Sequence, residues 1–226
     1  MNLPIQPLAD TDDAFKQKLP QLADDAAFTA ALGCQKMMMV LSASAPAPKE
    51  EYRKLVRDRL AMVSEVLLKS NIRLGLEFLG PLYMRMGGAR PGGPPRVPFI
   101  WTLPETVDLA KDIGTNIGVV LDVWHWHHSG GTTSDILAAG KARVVHVHVS
   151  DAKQLPPEEV RDNQRLMPGE GIIDLVGFFQ ALQKIGYDDG VSPEPLGRIP
   201  AEMSAEDAAK LGLETTTAVM RKAGVV

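Results

Sequence analysis

The sequence contains one cysteine, Cys34, which excludes an intrachain disulfide. A chain without disulfides is expected to be intracellular, here cytoplasmic. The sequence also lacks a surplus of basic residues, because 24 Lys and Arg stand against 28 Asp and Glu, with a net charge of -4. The sequence pI is about 5.7. Proteins that bind nucleic acid through its phosphates usually carry a basic surface. The composition therefore argues against a nucleic acid partner and favours a small-molecule ligand.

Several familiar functional motifs are also absent. No apolar stretch is long enough to cross a bilayer, and residues 1–4 lack the basic and apolar segments of an export signal. The chain has no Gly-rich phosphate loop, no Gly-x-Ser-x-Gly nucleophile turn and no second cysteine to share a zinc ion. Gly169-Glu170-Gly171 is too short and isolated for a dinucleotide fingerprint. Acids and histidines remain as the candidates for chemistry.

Short aliphatic runs alternate with longer amphipathic segments, which is typical of a parallel sheet wrapped by helices. The predicted strands are Gln35 to Leu41, Ile72 to Leu79, Asn116 to Val123, Arg143 to Val149, and Gly190 to Glu194. Helices are predicted from about Asp12, from a capping box at Thr102 and Glu105 to about Ile113, from Asp174 to Ile185, and after Ser204. The pattern predicts one α/β domain over residues 1–226.

The predicted architecture is a parallel barrel with its first strands missing. A barrel of eight strands usually takes about 250 residues, so five strands fall roughly three short. The missing strands are expected either to precede Met1 or to come from a partner chain. Exposed sheet edges favour pairing with another chain, so a homodimer is one expectation. Two long segments after strand ends, Gly80 to Ile100 and Ser150 to Ile173, are interpreted as substrate lids.

Four of the predicted strands end in a side chain that can bind a metal ion. Glu77, Asp122, His148 and Glu194 each lie at or near the carboxyl end of an apolar run. In a parallel barrel these ends converge on one face, so distant residues can meet around one ion. A mixed set of carboxylates and an imidazole suits Mn, Mg, Co or Zn. The sequence therefore predicts one divalent metal ion at this face.

Each ligand candidate also has a structural alternative. Glu77 could instead form an ion pair with Arg73, since a buried charge needs a partner. Glu194 could be an exposed charge in a turn. His146 lies one layer below His148, where it could be a core residue or support a ligand. Asp151 could hold an imidazole in one tautomer or cap a turn.

Residues 122–128, Asp-Val-Trp-His-Trp-His-His, contain three of the five histidines in the chain. His125 follows Asp122 by three positions, so both can turn from one strand end towards an ion and its substrate. His125 is therefore predicted to be functional. His127 and His128 are interpreted as loop residues or as partners for the nearby aromatic side chains.

The sequence resembles the sugar phosphate isomerase/epimerase family, which has the xylose isomerase-like TIM barrel. The resemblance covers nearly all 226 residues and depends on the order and spacing of several short motifs. These are Leu76-Glu77, Leu121-Asp122-Val123-Trp124-His125, His146-Val147-His148-Val149-Ser150-Asp151, the segment from Arg165 to Asp174, and Gly186-Tyr187-Asp188-Asp189-Gly190 leading to Glu194. The chain departs from the family pattern at its start, where family members carry three further strands.

The resemblance implies specific roles. Glu77, Asp122, His148 and Glu194 would hold one divalent cation, and the two glutamates would also move protons. His125 would lie near the substrate, and Arg165 would bind a substrate oxygen. An ion that holds the hydroxyl and carbonyl oxygens of a hydroxy-ketone lowers the barrier to removing the proton from the hydroxyl-bearing carbon. The implied activity is isomerisation or epimerisation of a small keto-sugar or polyol-derived substrate.

Two alternatives to this activity stay open, and the sequence argues against a third. The same machinery supports loss of water, as in the inosose and dehydroshikimate dehydratases. A non-catalytic sugar-binding module is a further alternative. The related apurinic endonucleases use a cluster of three metal ions and a basic groove, and the five histidines and acidic pI argue against that reading. No membrane partner is expected.

Overall fold

The computed structural model describes residues 1–86 and 95–226. The strands in chain order are β1 (Lys36–Leu41), β2 (Ser44–Ala45), β3 (Arg73–Phe78), β4 (Val97–Pro98), β5 (Ile117–Asp122), β6 (Val144–Val149) and β7 (Val191–Pro193). The helices are α1 (Asp12–Ala31), α2 (Lys49–Leu68), α3 (Leu82–Arg85), α4 (Leu103–Ile113), α5 (Val123–His128), α6 (Thr133–Ala139), α7 (Leu175–Lys184) and α8 (Ala205–Ala223). Two 3-10 turns cover Lys141–Arg143 and Asp162–Gln164.

Five strands form one parallel sheet in the order β1-β3-β5-β6-β7, while β2 and β4 form a small antiparallel pair. This order confirms the predicted α/β architecture of about five parallel strands with surrounding helices, and within the described residues the sheet does not close into a barrel. Each predicted strand lies within one residue of the observed one at either end. Strands buried on both faces read as continuous apolar runs, and this made them recognisable.

The pairing register of the sheet places the carboxyl ends of the central strands side by side. Glu77 pairs with Val120 across β3 and β5, and Asp122 pairs with His148 across β5 and β6. The stagger between neighbouring strands is characteristic of a barrel. Gly118 permits close contact at the amino ends of β5 and β6, because a Cβ there would lie 2.3 Å from the Arg143 carbonyl oxygen. The central strands therefore approach closely and aim their last side chains at one region.

The outer strands differ from the central ones in exposure. Every residue of β5 is buried, whereas Val40 in β1 is 51% exposed. Residues 1–3 run parallel to β1, since the Leu3 N–H donates to the Met38 carbonyl and the Met38 N–H donates to the Met1 carbonyl. The opening segment therefore covers part of this edge of the sheet.

The helix caps predicted from sequence are present at three helices. The Thr102 hydroxyl accepts from the Glu105 N–H, the Asp174 carboxylate from the Gly177 N–H, and the Ser204 hydroxyl from the Asp207 N–H. Such caps satisfy backbone donors that a helix leaves free at its start. Leu103, Val107 and other apolar residues of the helices then pack on the sheet.

The long segment that follows β3 is described in part. Residues 87–94, within the predicted lid from Gly80 to Ile100, lie outside the described residues. The rest of that segment contains α3 and β4. Within the described ranges, no helix has the length and apolar character that a bilayer span requires.

Candidate metal centre

The structure brings Glu77, Asp122, His148 and Glu194 together at the carboxyl ends of four neighbouring strands. One ligand atom from each lies within 4.8 Å of the others. Glu77, Asp122 and His148 are buried, and the Glu194 side chain is 32% exposed. The Glu194 N–H donates to the Val149 carbonyl over 2.8 Å, which fixes the residue just beyond β7. The four residues thus form a compact cluster that opens towards solvent at Glu194.

His148 faces all three carboxylates through one ring nitrogen. Its Nδ1 lies 3.0 Å from Glu77 Oε1, 3.5 Å from Glu194 Oε2 and 3.9 Å from Asp122 Oδ2. Burial lowers the pKa of His148, but interaction with Glu194 and Glu77 outweighs burial and raises the pKa to about 10. A protonated imidazole therefore balances part of the acidic charge, at the position where a cation would lie.

The two oxygens of Asp122 have different roles. Oδ1 accepts from the N–H groups of Trp124 and His125, at 2.8 and 2.9 Å, and so caps α5. Oδ2 accepts from Arg165 Nη1 at 2.6 Å. Burial opposes ionisation, but the Arg165 charge and these N–H groups hold the pKa of Asp122 well below its usual value. Asp122 is therefore an ionised carboxylate with one oxygen on the helix and one on the cluster.

Arg165 is buried inside the cluster rather than free in the loop. Its Nη1 also donates to Glu194 Oε2 at 2.9 Å, and its Nε donates to Asp162 Oδ1 at 2.8 Å. The guanidinium lies 4.7 Å from the centre of the Trp124 ring. Burial lowers the pKa of Arg165, but the charges of Asp122, Asp162 and Glu194 outweigh burial and raise it. Arg165 therefore holds two of the candidate ligands, Asp122 and Glu194, in fixed positions.

His125 is 2% exposed and adjoins the cluster. Its Nε2 lies 3.3 Å from Arg165 Nη2, and since the guanidinium can only donate, Nε2 is the acceptor. Its Nδ1 is buried without a hydrogen-bond partner among the described residues. Burial lowers the pKa of His125, so the ring is neutral and Nδ1 carries the proton. An unpaired buried donor beside the cluster is suited to a bound oxygen atom.

The contacts of Glu77, Glu194 and His146 bear on the structural alternatives for these residues. The alternative ion pair of Glu77 with Arg73 is not formed, because Arg73 donates to the carbonyl oxygens of Ala142 and Val144 at the opposite end of the strands. Glu194 is partly buried among charged partners rather than free in a turn. His146 is half-buried, lies 2.9 Å from the Ser192 hydroxyl and contacts the edge of the His148 ring.

Asp151 caps a turn and does not hold an imidazole. Its Oδ1 accepts from the N–H groups of Ala152 and Ile173, and its Oδ2 from those of Gly169 and Gly171, over 2.8 to 3.1 Å. The Asp151 and Leu166 backbones also bond each other in both directions at 2.9 Å. Asp151 therefore ties the long segment after β6 together and places Arg165, the neighbour of Leu166.

Two contributors to the cluster were not identified from sequence. Asp162 pairs with Arg165 three positions later, and Trp124 packs against the same guanidinium. A buried arginine needs carboxylate partners, so an acid three positions before Arg165 was the available signal. His127 and His128 lie on α5 but not in the cluster, and their rings contact each other.

The raised pKa of His148 predicts a pH dependence of stability without metal. An imidazolium favoured in the folded protein stabilises it fully below about pH 6.5, and this stabilisation is lost as pH rises towards 10. In EDTA, we expect the free energy of unfolding, measured with urea, to fall between pH 7 and 9. His148→Asn should fall less steeply over the same interval, and equal slopes would contradict the assignment.

Comparison with known proteins gives the family. The sequence profile of the xylose isomerase-like TIM barrel matches residues 1–218. The inosose isomerase of Bacillus velezensis is 28% identical over 175 residues, which are 77% of this chain and 58% of that protein. That of Bacillus subtilis is 27% identical over the same shares of both chains. The chain therefore spans less than two thirds of the length of these curated relatives.

Solved structures show the same architecture. A xylose isomerase domain protein from Alicyclobacillus acidocaldarius superposes with a TM-score of 0.86 at 30% identity, over 99% of this chain and 77% of that one. The IOLI protein, solved with a zinc atom, superposes with a TM-score of 0.77 at 24% identity, over 94% and 72% of the two chains. With the profile match over residues 1–218, these likenesses show that the chain belongs to the xylose isomerase-like TIM barrel family.

Proposed function

We propose that this chain carries the catalytic centre of a divalent-metal-dependent isomerase or epimerase acting on a small keto-sugar or polyol-derived ketone. The observation that carries the proposal is the convergence of Glu77, Asp122, His148 and Glu194 within 4.8 Å. The inosose isomerases of two Bacillus species support the substrate class. Inosose is a cyclic polyol ketone, and such a molecule offers the adjacent hydroxyl and carbonyl that this chemistry needs.

The cluster suits a divalent cation by its donor set. Three carboxylates and one imidazole nitrogen are ligands common to Zn, Mn, Mg and Co sites. Two ligands on opposite sides of one ion lie about 4.2 Å apart at a metal–ligand bond of about 2.1 Å, so donor atoms within 4.8 Å of one another would close on an ion through small side-chain movements. Glu77, Asp122, His148 and Glu194 would hold the ion, which would polarise the substrate carbonyl and its neighbouring hydroxyl.

Glu77 and Glu194 are the groups that we propose to move the proton. They approach the cluster from β3 and from the residue after β7, so they flank it from two sides. One carboxylate would take the proton from the hydroxyl-bearing carbon next to the carbonyl, which leaves an enediolate. A carboxylate would return a proton either to the former carbonyl carbon, with the hydroxyl proton moving to the former carbonyl oxygen, or to the other face of the same carbon. The first outcome is isomerisation, and the second is epimerisation.

His125 and Arg165 would assist in different ways. The unpaired Nδ1–H of His125 would donate to a substrate oxygen. Arg165 already donates to Asp122, Glu194 and Asp162. We therefore propose that Arg165 mainly orients these carboxylates, and that it would contact a substrate oxygen only by exchanging one of these partners.

The activity can be tested by incubating the protein with a panel of inososes and ketoses in D2O, with Mn, Mg, Co or Zn supplied. An isomerised or epimerised product carrying deuterium at the reacting carbon would support the proposal. An unsaturated product would instead indicate a dehydratase, and binding without turnover would indicate a sugar-binding module. Proton NMR distinguishes the three results in one experiment.

We expect His148→Ala to abolish stable metal binding. Loss of a partner that only orients a ligand typically weakens metal affinity by 10 to 100-fold, and loss of a ligand should weaken it by roughly 100-fold or more. Elemental analysis after dialysis should find about one ion per wild-type chain and none in the variant. His127→Ala, which removes a histidine outside the cluster, should retain the ion. Retention by both variants would contradict the ligand assignment.

A further inference from the structure

A cavity lies among the segments that follow β3, β5 and β6, at the same end of the sheet as the metal centre. Its volume is about 570 Å³, which is in the range of small-ligand sites. Its lining includes Arg85 at the end of α3, His127 and His128 at the end of α5, and Lys153 after β6. None of these residues belongs to the metal cluster, and the proposed function uses none of them.

The lining of this cavity is basic in a protein whose net charge is -4. Arg85 and Lys153 contribute two positive charges, and none of the described lining residues is Asp or Glu. Residues 87–94, which follow Arg85 closely in sequence, contain neither Asp nor Glu. No ion pair of Arg85 or Lys153 is formed within the described residues. No acidic residue among the described lining residues therefore balances the positive charge of the cavity.

Arg85 is held in place by neutral groups. Its Nε donates to the Gly80 carbonyl and its Nη2 to the His128 carbonyl, both at 2.7 Å. The guanidinium also lies 5.3 Å from the centre of the Trp101 ring. Burial lowers the pKa of Arg85, without an offsetting carboxylate. A fixed, partly buried cation that lacks a counter-ion favours an anionic ligand, because the ligand supplies the missing charge.

The two histidines add polar groups to the same cavity. Both rings are half-buried, and burial lowers the pKa of each, so each neutral ring offers one N–H donor. His128 also contacts Trp124, with ring centres 4.4 Å apart, and Trp124 contacts Arg165. The cavity is thus a neighbour of the metal centre with its own set of donors.

We infer that this cavity binds the oxyanion of a small molecule, a phosphate or a carboxylate, through Arg85 and Lys153 with the two imidazoles as further donors. The Nε and Nη2 of Arg85 are bonded to backbone carbonyls, and its Nη1 donates to no partner among the described residues, so Nη1 is the group that would meet the oxyanion. Lys153 is exposed and can close on the ligand from the solvent side.

The test is titration calorimetry of the protein with inorganic phosphate, and separately with malonate, at constant ionic strength. We expect saturable binding of at least one probe, weakened about tenfold by Arg85→Gln and by Lys153→Gln. Binding of phosphate alone would identify a phosphate ester as the ligand class, and binding of malonate alone would identify a carboxylate. Lys69→Gln removes the same charge from an exposed site at the end of α2 and should bind as wild type does.

The same titration in His148→Ala separates this inference from the proposed function. Phosphate can bind a metal ion, so binding that persists in a variant without the ion belongs to the basic cavity. Lys153 is exposed, so Lys153→Gln tests the site without disturbing the contacts of Arg85 to the backbone. The inference would be overturned by absence of saturable binding of both probes, by equal weakening in Lys69→Gln, or by loss of all binding in His148→Ala.

Discussion

Glu77→Gln and Glu194→Gln are each expected to lower kcat for the proposed isomerisation by about 1,000-fold. Proton transfer by a positioned carboxylate typically contributes 100 to 10,000-fold to rate. Glutamine keeps the shape of glutamate and an oxygen that can contact a cation, but it does not accept the substrate proton at neutral pH. The rate is measured by NMR as formation of product and as deuterium uptake in D2O.

The metal content of both variants identifies the cause of the loss. A variant that retains the ion but turns over slowly has lost a proton acceptor, whereas a variant without the ion has lost a ligand. Glu65→Gln is a matched control, because Glu65 is an exposed carboxylate on α2 and does not belong to the cluster. It should leave kcat unchanged. A wild-type rate in either Glu77→Gln or Glu194→Gln would remove that residue from the proposed mechanism.

Asp151→Ala should destabilise the protein by about 4 kcal/mol, which is roughly 1,000-fold in the folding equilibrium. The substitution leaves four backbone N–H groups without their acceptor, and those of Ala152 and Ile173 are buried. A buried donor left without a partner costs about 1–3 kcal/mol. Gly171 shows how tightly this site is built, since a Cβ there would lie 2.6 Å from Asp151 Oδ1.

Urea unfolding measures the free energy of unfolding of Asp151→Ala, and Asp151→Asn shows how much of the loss comes from each carboxylate oxygen. Asparagine keeps one oxygen for two of the N–H groups but directs an amide NH2 at the other two, so its loss should be smaller than that of alanine. Asp188→Asn, at an exposed position, provides the control for removal of a surface carboxylate. An Asp151→Ala variant as stable as wild type would show that this carboxylate does not hold the segment.

The convergence of the candidate ligands could be predicted because it follows from strand periodicity. Apolar runs indicated the strands, and a parallel sheet brings the residues that follow them to one edge. Glu77, Asp122, His148 and Glu194 could therefore be named together from sequence. The helix caps at Thr102, Asp174 and Ser204 were recognisable for a similar reason, since each cap is local in sequence.

The environment of the cluster could not be predicted in the same way. Arg165 and Asp162 lie in the long segment after β6, whose path is set by contacts of Asp151 with distant backbone groups rather than by a periodic pattern. The partner of Arg73 was also misjudged, because its position at the start of β3 directs it to the opposite end of the sheet from Glu77. The basic cavity near Arg85 could not be predicted either, because its lining comes from three segments that are far apart in sequence.

The double use of Asp122 limits how this centre can change during evolution. One oxygen starts α5, and the other serves the charged cluster. A histidine at this position would supply a ligand but would not accept both N–H groups, and an asparagine would preserve the helix start but remove the negative charge. Aspartate therefore satisfies both demands where histidine and asparagine each meet only one, and replacing it by either would require a compensating change in α5 or in the cluster.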